Sequence, residues 1–158
     1  MPKTKRTPAG EAVTSFILDL FRLNGLLLTA GDRLVARVGL TSARWQILGA
    51  IVAAERSQPV AWLARDLGAS RQNVQRIVND LEKEELVSFE TNPHHRRAQL
   101  VVLTDKGRQT YDAALRLQSP WVNGLSDELA IKDIETAHSV ILALRQKLDG
   151  NEEPEARA

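Results

Sequence analysis

The chain has no cysteine, few aromatic residues, no uninterrupted apolar run of bilayer length, and no acid anywhere from Ser70 through Asn79. The missing cysteine excludes disulfides, thiolate metal sites and thiol-based redox sensing, and it fits a reducing compartment. With only 4% aromatic residues, a core must be built from Leu, Val, Ile and Ala. The most apolar stretch, Leu23 to Ala36, is broken by Asn24, Gly25, Asp32 and Arg33, which reads as too short and too charged to span a membrane. The N-terminus is basic but has no apolar run leading to a cleavage site, so no secretory signal is expected and the location expected is cytoplasmic. His94 and His95 are adjacent, His138 is remote, and no carboxylate cluster accompanies them. No metal or other cofactor is expected. No Ser/His/Asp set or glycine-rich phosphate loop points to an enzyme.

What is present is helical. The 158 residues are about one domain's worth, and 43% are hydrophobic. Apolar residues at 3-to-4 spacing (Phe16, Leu20, Leu23, Leu27, Leu34) predict one long helix from about Gly10 to Val38, with Gly25 and Gly31 as places for a kink. Thr41-Ser42 opens a second helix. Pro59 fits the first turn of a third, which Gly68 can end in a left-handed conformation. Ser70 is a good N-cap for a fourth helix reaching about Glu85. Thr104-Asp105 caps a fifth, which Pro120 should kink or end. Ser126-Asp127-Glu128 starts a sixth, carrying Ile134, Ala137, Ile141, Leu144 and Leu148. Of the three tryptophans, Trp45 and Trp62 are assigned to core packing in preference to a ligand pocket.

On the fourth helix Val74, Ile77, Val78 and Leu81 form one apolar face. At about 100° per residue the opposite face centres on Gln72, Arg76 and Asn79, with Asn73 and Gln75 beside them. Amide and guanidinium groups are the side chains that read adenine and guanine edges in the major groove. Gln72 and Arg76 are therefore assigned to base edges, with Asn73 and Gln75 as further candidates. Ser70 and Arg71, at the helix start, suit phosphate. Net charge is only +1, so the case rests on distribution: a solvated face usually mixes both signs, and this one does not.

Residues Leu86 to Thr104 add a second element. Two β-type runs, Val87 to Glu90 and Gln99 to Leu103, flank a polar tip of Asn92-Pro93, His94, His95, Arg96 and Arg97. Crowded like charges on a hairpin tip suit a negatively charged partner. A helix-turn-helix followed by a basic hairpin is a winged helix. The fold class expected is mainly α, about six helices and a two-stranded wing, with a helical dimerisation region. The divisions expected are a flexible basic tail 1–9, dimerisation segments 10–40 and 104–150, a DNA-binding region 41–103 and a flexible acidic tail 151–158.

The chain resembles the multiple-antibiotic-resistance regulator (MarR) family of bacterial winged-helix transcription factors. The matching residues are Leu40 to Leu48, Leu63-Ala64-Arg65-Asp66-Leu67-Gly68-Ala69-Ser70, Leu81 to Val87, and Asn92 to Gly107. The family's wing pattern is Asp, any residue, Arg, five residues, then Leu-Thr; Arg97 and Leu103-Thr104 match its second half. The resemblance implies a homodimer built on the first, fifth and sixth helices. It also implies double-stranded DNA with a palindromic operator as partner, and regulation of nearby genes. Repression released by a small anionic or aromatic effector is the expected mode. His95, Arg96 and Arg97 become candidate DNA contacts. The family's wing Asp falls at His95, so His95 is expected to orient Arg97 by another hydrogen bond or to add charge when protonated. The alternative function is a small-molecule-binding or protein-interaction winged helix without specific DNA binding.

Overall fold

The computed structural model describes residues 5–149; residues 1–4 of the expected basic tail and the whole expected acidic tail lie outside the described residues. The elements fall into two compact units, one up to Ser119 and one from Pro120 onward.

In the first unit, helix α1 (Pro8–Val35) starts slightly before the expected Gly10. Thr7 Oγ1 accepts from the Gly10 N–H at 3.0 Å, and Pro8 sits where its missing N–H costs nothing. The helix runs unbroken through Gly25 and Gly31, and a 3-10 turn (Ala36–Val38) follows it. Gly31 is there for contact: a Cβ would collide with Ser42 Oγ. Ser42 begins helix α2 (Ser42–Ala53). It is 5% exposed, and it bonds back to α1 twice. Its N–H donates to Asp32 Oδ1 at 2.6 Å and its hydroxyl to Leu28 O at 2.7 Å.

The wing sheet has three strands, where two were expected. Gln58–Pro59 forms a short strand β1 that pairs with β3 (Leu100–Leu103), which in turn pairs with β2 (Val87–Glu90), all antiparallel. Pro59 is thus an edge-strand residue opposite Leu100 and the N-cap of helix α3 (Val60–Asp66), one position ahead of the expected first turn. An edge position is where a residue without an N–H is tolerated in a sheet. Helix α4 (Arg71–Lys83) follows, and the core gathers between these elements. Leu48, Leu63, Leu81, Val35, Val74, Val78, Val87 and Val101 are fully buried, aliphatic as the composition required.

Helix α4 ends with Glu85 in the left-handed region (φ 61°), its N–H bonded to Glu82 O at 2.8 Å and that of Leu86 to Leu81 O at 2.9 Å. Beside this turn Thr104 opens helix α5 (Asp105–Ser126). The Thr104 hydroxyl donates to Glu85 O at 2.7 Å and accepts from the Gly107 N–H at 2.9 Å; the Thr104 N–H donates to Leu86 O at 3.2 Å. Gly107 is buried, and a Cβ there would run into the Leu86 carbonyl.

Pro120 does not end α5, which continues to Ser126. Helix α6 (Ile131–Asp149) in the second unit therefore begins later than Ser126. The hydroxyl of Ser126 bonds back to Asn123 O, Glu128 takes a left-handed conformation (φ 65°), and Ala130 O receives the first helical N–H groups, from Asp133 and Ile134. None of the α6 residues is buried.

Gly68 and Gly107 should differ in cost when a Cβ is added. Gly68→Ala strains one left-handed residue and should lose about 1 kcal/mol. Gly107→Ala forces side chain against backbone and should lose about 3 kcal/mol. Urea unfolding at one fixed protein concentration measures both; equal losses would show that the α5 start shifts to accept a Cβ.

Candidate nucleic-acid interface

The α3–turn–α4 pair aims the outer face. Ala64, 3% exposed, sits on the buried side of α3, and the Ala69 N–H reaches its carbonyl at 2.9 Å. Gly68 supplies the left-handed turn (φ 61°). Ser70 Oγ accepts from the Asn73 N–H at 3.2 Å, the N-cap read in the sequence. Val74, Ile77, Val78 and Leu81 are buried, so α4 is fixed in rotation and its other side must face water. Ser70, Arg71, Gln72, Asn73, Arg76 and Asn79 are exposed, and Gln75 is half-buried.

These side chains hold one another. Gln75 Nε2 donates to Asn79 Oδ1 at 2.8 Å, which leaves the Gln75 carbonyl oxygen as a free acceptor. Arg76 donates to Asn73 Oδ1 at 3.0 Å and lies 3.8 Å from Asp80 Oδ2. Arg71, Gln72, Gln75, Arg76 and Asn79 line one open concavity.

At the wing tip Asn92 Oδ1 accepts from the His94 N–H at 3.0 Å, the side-chain turn that Asn-Pro announces. A second turn follows, the Ala98 N–H bonding to His95 O at 3.0 Å. His94, His95, Arg96 and Arg97 are all exposed. His95 and Arg97 line different concavities, however. Arg97 shares a cleft with Arg71 and Gln75 of α4, together with Ala61, Phe89 and Gln99. His95 lines a separate one with Trp62 and Arg56. No hydrogen bond links His95 to Arg97 among the described residues, and neither Arg96 nor Arg97 has an ion-pair partner there. Of the two roles expected of His95, the hydrogen bond that orients Arg97 is thus absent among the described residues; the other, added charge on protonation, does not depend on that contact.

Sequence reasoning also missed Gln99 as a neighbour of this surface, and it misplaced Trp62. On α3 the buried positions are Val60, Leu63 and Ala64; Trp62 lies on the far side and is 41% exposed. Trp45 does pack against the core. Among the described residues no cluster of His, Cys, Asp or Glu could hold a metal ion.

A winged helix of this layout defines a class of fold, and the comparisons identify the family. The sequence profile of the MarR family matches residues 38–98. An uncharacterized protein of Mycobacterium tuberculosis is 42% identical over 103 residues, which span 65% of this chain and 71% of that one. The transcriptional activatory protein BadR of Rhodopseudomonas palustris is 30% identical over 104 residues, 65% of this chain and 59% of its own. The transcriptional repressor CouR, solved on a 23-mer DNA duplex, superposes with a TM-score of 0.74 at 25% identity, covering 89% of this chain and 99% of that one. The chain belongs to the MarR family.

Proposed function

We propose that this protein is a sequence-specific, double-stranded-DNA-binding transcriptional regulator that works as a homodimer in the bacterial cytoplasm, repressing until a small effector releases it. One observation carries the reading: the acid-free outer face of α4 from Ser70 to Asn79 and the wing arginine Arg97 meet at one cleft, with Arg71 and Gln75 shared between them. A helix with amide and guanidinium groups fits a major groove, and a basic hairpin beside it fits the adjoining backbone or minor groove. CouR on its DNA duplex supports the same use of the fold. Gln72 and Arg76 are assigned to base edges, with Asn73 and Gln75 beside them. Ser70 and Arg71 are assigned to phosphate, and His95, Arg96 and Arg97 to the wing contact.

The dimer reading has its own support. Val13, Ile17, Leu18, Phe21, Leu23, Leu26, Leu27 and Leu28 of α1 are all exposed, and so are Ile131, Ile134, Val140, Leu142 and Leu148 of α6. Many large apolar side chains exposed on one helix mark an interaction surface, and a second copy of the chain would supply cover to each helix by symmetry.

A mobility-shift and footprinting experiment on the DNA upstream of the protein's own gene tests the function. The expected result is a two-fold symmetric footprint with half-site centres about 10 base pairs apart. Equal affinity for random DNA would leave only a non-specific binder.

Arg76→Ala should weaken binding to the specific site by about 1–3 kcal/mol and relax preference at one position of each half-site. An equal loss on random DNA would make Arg76 a phosphate contact.

Arg97→Ala should lower affinity on every sequence. Because a dimer loses two arginines, the log–log salt slope should fall by about two units. An unchanged slope would mean that the wing arginine stays in water.

A further inference from the structure

Two side-chain pairs on the outer face of α4 are bonded in different ways, and they offer different groups to a partner. Arg76 donates to Asn73 Oδ1 at 3.0 Å. What that pair turns outward is mostly donors, the remaining guanidinium N–H groups and the amide N–H groups of Asn73. Gln75 instead donates through Nε2 to Asn79 Oδ1 at 2.8 Å. An amide nitrogen carries two N–H groups, so Gln75 keeps one donor and its whole carbonyl oxygen. Its amide plane is held from one turn further along the helix. Gln72 lines the same concavity, but among the described residues no side-chain hydrogen bond fixes its amide.

Gln75 also differs in place. It is half-buried, while Arg71, Gln72, Asn73, Arg76 and Asn79 are exposed. Gln75 and Arg71 line both the open concavity of α4 and the cleft toward the wing. Arg97 lines that cleft as well, and neither arginine has an ion-pair partner among the described residues. A braced amide between two unmatched cations suits a base edge flanked by backbone phosphates.

The four base edges answer differently to such an amide. Adenine offers an acceptor, N7, beside a donor, the N6 amino group. Guanine offers two acceptors, cytosine a donor, and thymine an acceptor beside a methyl group. One N–H and one C=O match adenine at both positions, and they set the Gln75 oxygen against the guanine O6. A free glutamine can swing its amino group toward a guanine acceptor. Here one N–H is spent on Asn79, so that swing breaks a bond.

We propose that Gln75 selects an adenine in each half-site, and that Asn79 is a positioning residue that holds the Gln75 amide for it. The assignment rests on the DNA-binding function proposed above. It makes the α4 face a reader of two parts, a donor-only part at Arg76 and a donor-and-acceptor part at Gln75.

The test uses the full chain and duplexes that it selects from a randomised library. Each adenine of one half-site is replaced in turn by guanine and by 7-deazaadenine, which lacks the N7 acceptor and keeps its pairing edge. At one adenine the 7-deaza change should weaken binding about fivefold, the scale of one hydrogen bond. For Gln75→Ala the same change at that position should cost nothing further, and the preference for adenine over guanine there should fall about tenfold. Asn79→Ala should lower that preference about twofold, the scale of one amide pair along a helix. Asn79→Asp keeps the acceptor, so it should preserve the preference while its charge weakens binding to every sequence alike. A 7-deaza loss as large in Gln75→Ala as in the unsubstituted protein at every adenine would overturn the contact. A preference untouched by Asn79→Ala, or lowered equally by Asn79→Asp, would overturn the positioning role. If the chain selects no sequence at all, the proposed function fails and this assignment with it; if it selects a site in which Gln75→Ala changes no base preference, only this assignment fails.

Discussion

The winged helix depends on the hydrogen-bonded joint at Thr104. Four elements end or begin there: α4 through Glu85, β2 through Leu86, β3 through Leu103, and α5 through Gly107. One hydroxyl serves two of them, donating to Glu85 O and accepting from the Gly107 N–H. Lys106 adds a bond from its Nζ to Glu84 O at 2.7 Å. Exposed carbonyls at a helix C-terminus need partners, and here the start of the next helix supplies them. The joint thus fixes the wing root against the end of α4. Without it, two four-residue strands would hold a nine-residue tip on very little. Gly107 is the requirement this places on sequence, since only a residue without Cβ lets α5 come so close.

A net charge of +1 looks poor for a protein proposed to bind DNA, but local arrangement decides. Two of the acids at the end of α4, Asp80 at the edge of the face and Glu84 just past the helix, are engaged by cations. Glu84 is occupied by Arg44 of α2, 2.7 Å away. Asp80 draws on both Arg76 and Lys83 at 3.8 and 3.5 Å. An exposed ion pair of that length is worth about 0–1 kcal/mol, whereas a good bidentate contact to a base is worth about 1–3 kcal/mol. In the proposed base contact, Arg76 would exchange Asp80 for a guanine edge at a net gain. Until then Asn73 and Asp80 keep it lying along the helix, which limits the rotamer freedom it would lose on binding.

Periodicity made the α4 face legible. Four apolar residues at spacing 0, 3, 4 and 7 fix a helix's rotation whatever surrounds it, and the cap and turn residues Ser70 and Gly68 have strong local preferences. Thr104 was legible as a cap, but its bond to Glu85 was not, because that contact joins residues far apart in the chain. Strand β1 was hidden for a similar reason: two residues, one a proline, carry no alternation, and the pairing exists only because Leu100 and Val101 lie opposite. Trp62 was assigned to the core from residue type alone. Two positions past Val60 on a helix is about 200° of rotation, so its own spacing already pointed away from the buried face. Nor could the order His95-Arg96-Arg97 reveal that its first and last members face different clefts; that follows from the two tight turns at Asn92 and His95. The start of α6 was misjudged because Ser126, a good cap by type, is already spent closing α5.

Helix α1 poses the sharpest choice of surroundings. By length and composition it could cross a bilayer: its best 18-residue window has a mean hydropathy of 1.4, which corrects the impression given by Leu23 to Ala36 alone. Two observations weigh against that use. Asp19 and Arg22 form an exposed ion pair at 3.0 Å within the apolar stretch, and ionised groups at mid-bilayer cost about 2.5–3.5 kcal/mol each on the lenient insertion scale. The C-terminal part of the helix is also bonded to α2 through Asp32, Leu28 and Ser42, so it belongs structurally to the winged helix. Left in water, Phe21 and Leu26, each 70% exposed, forgo most of the roughly 1.5–3 kcal/mol that burying such a side chain contributes. Another protein surface meets both demands. It covers the leucines while the ion pair keeps access to water or polar groups, which hydrocarbon denies it. A symmetric copy of the same helix is the simplest such surface.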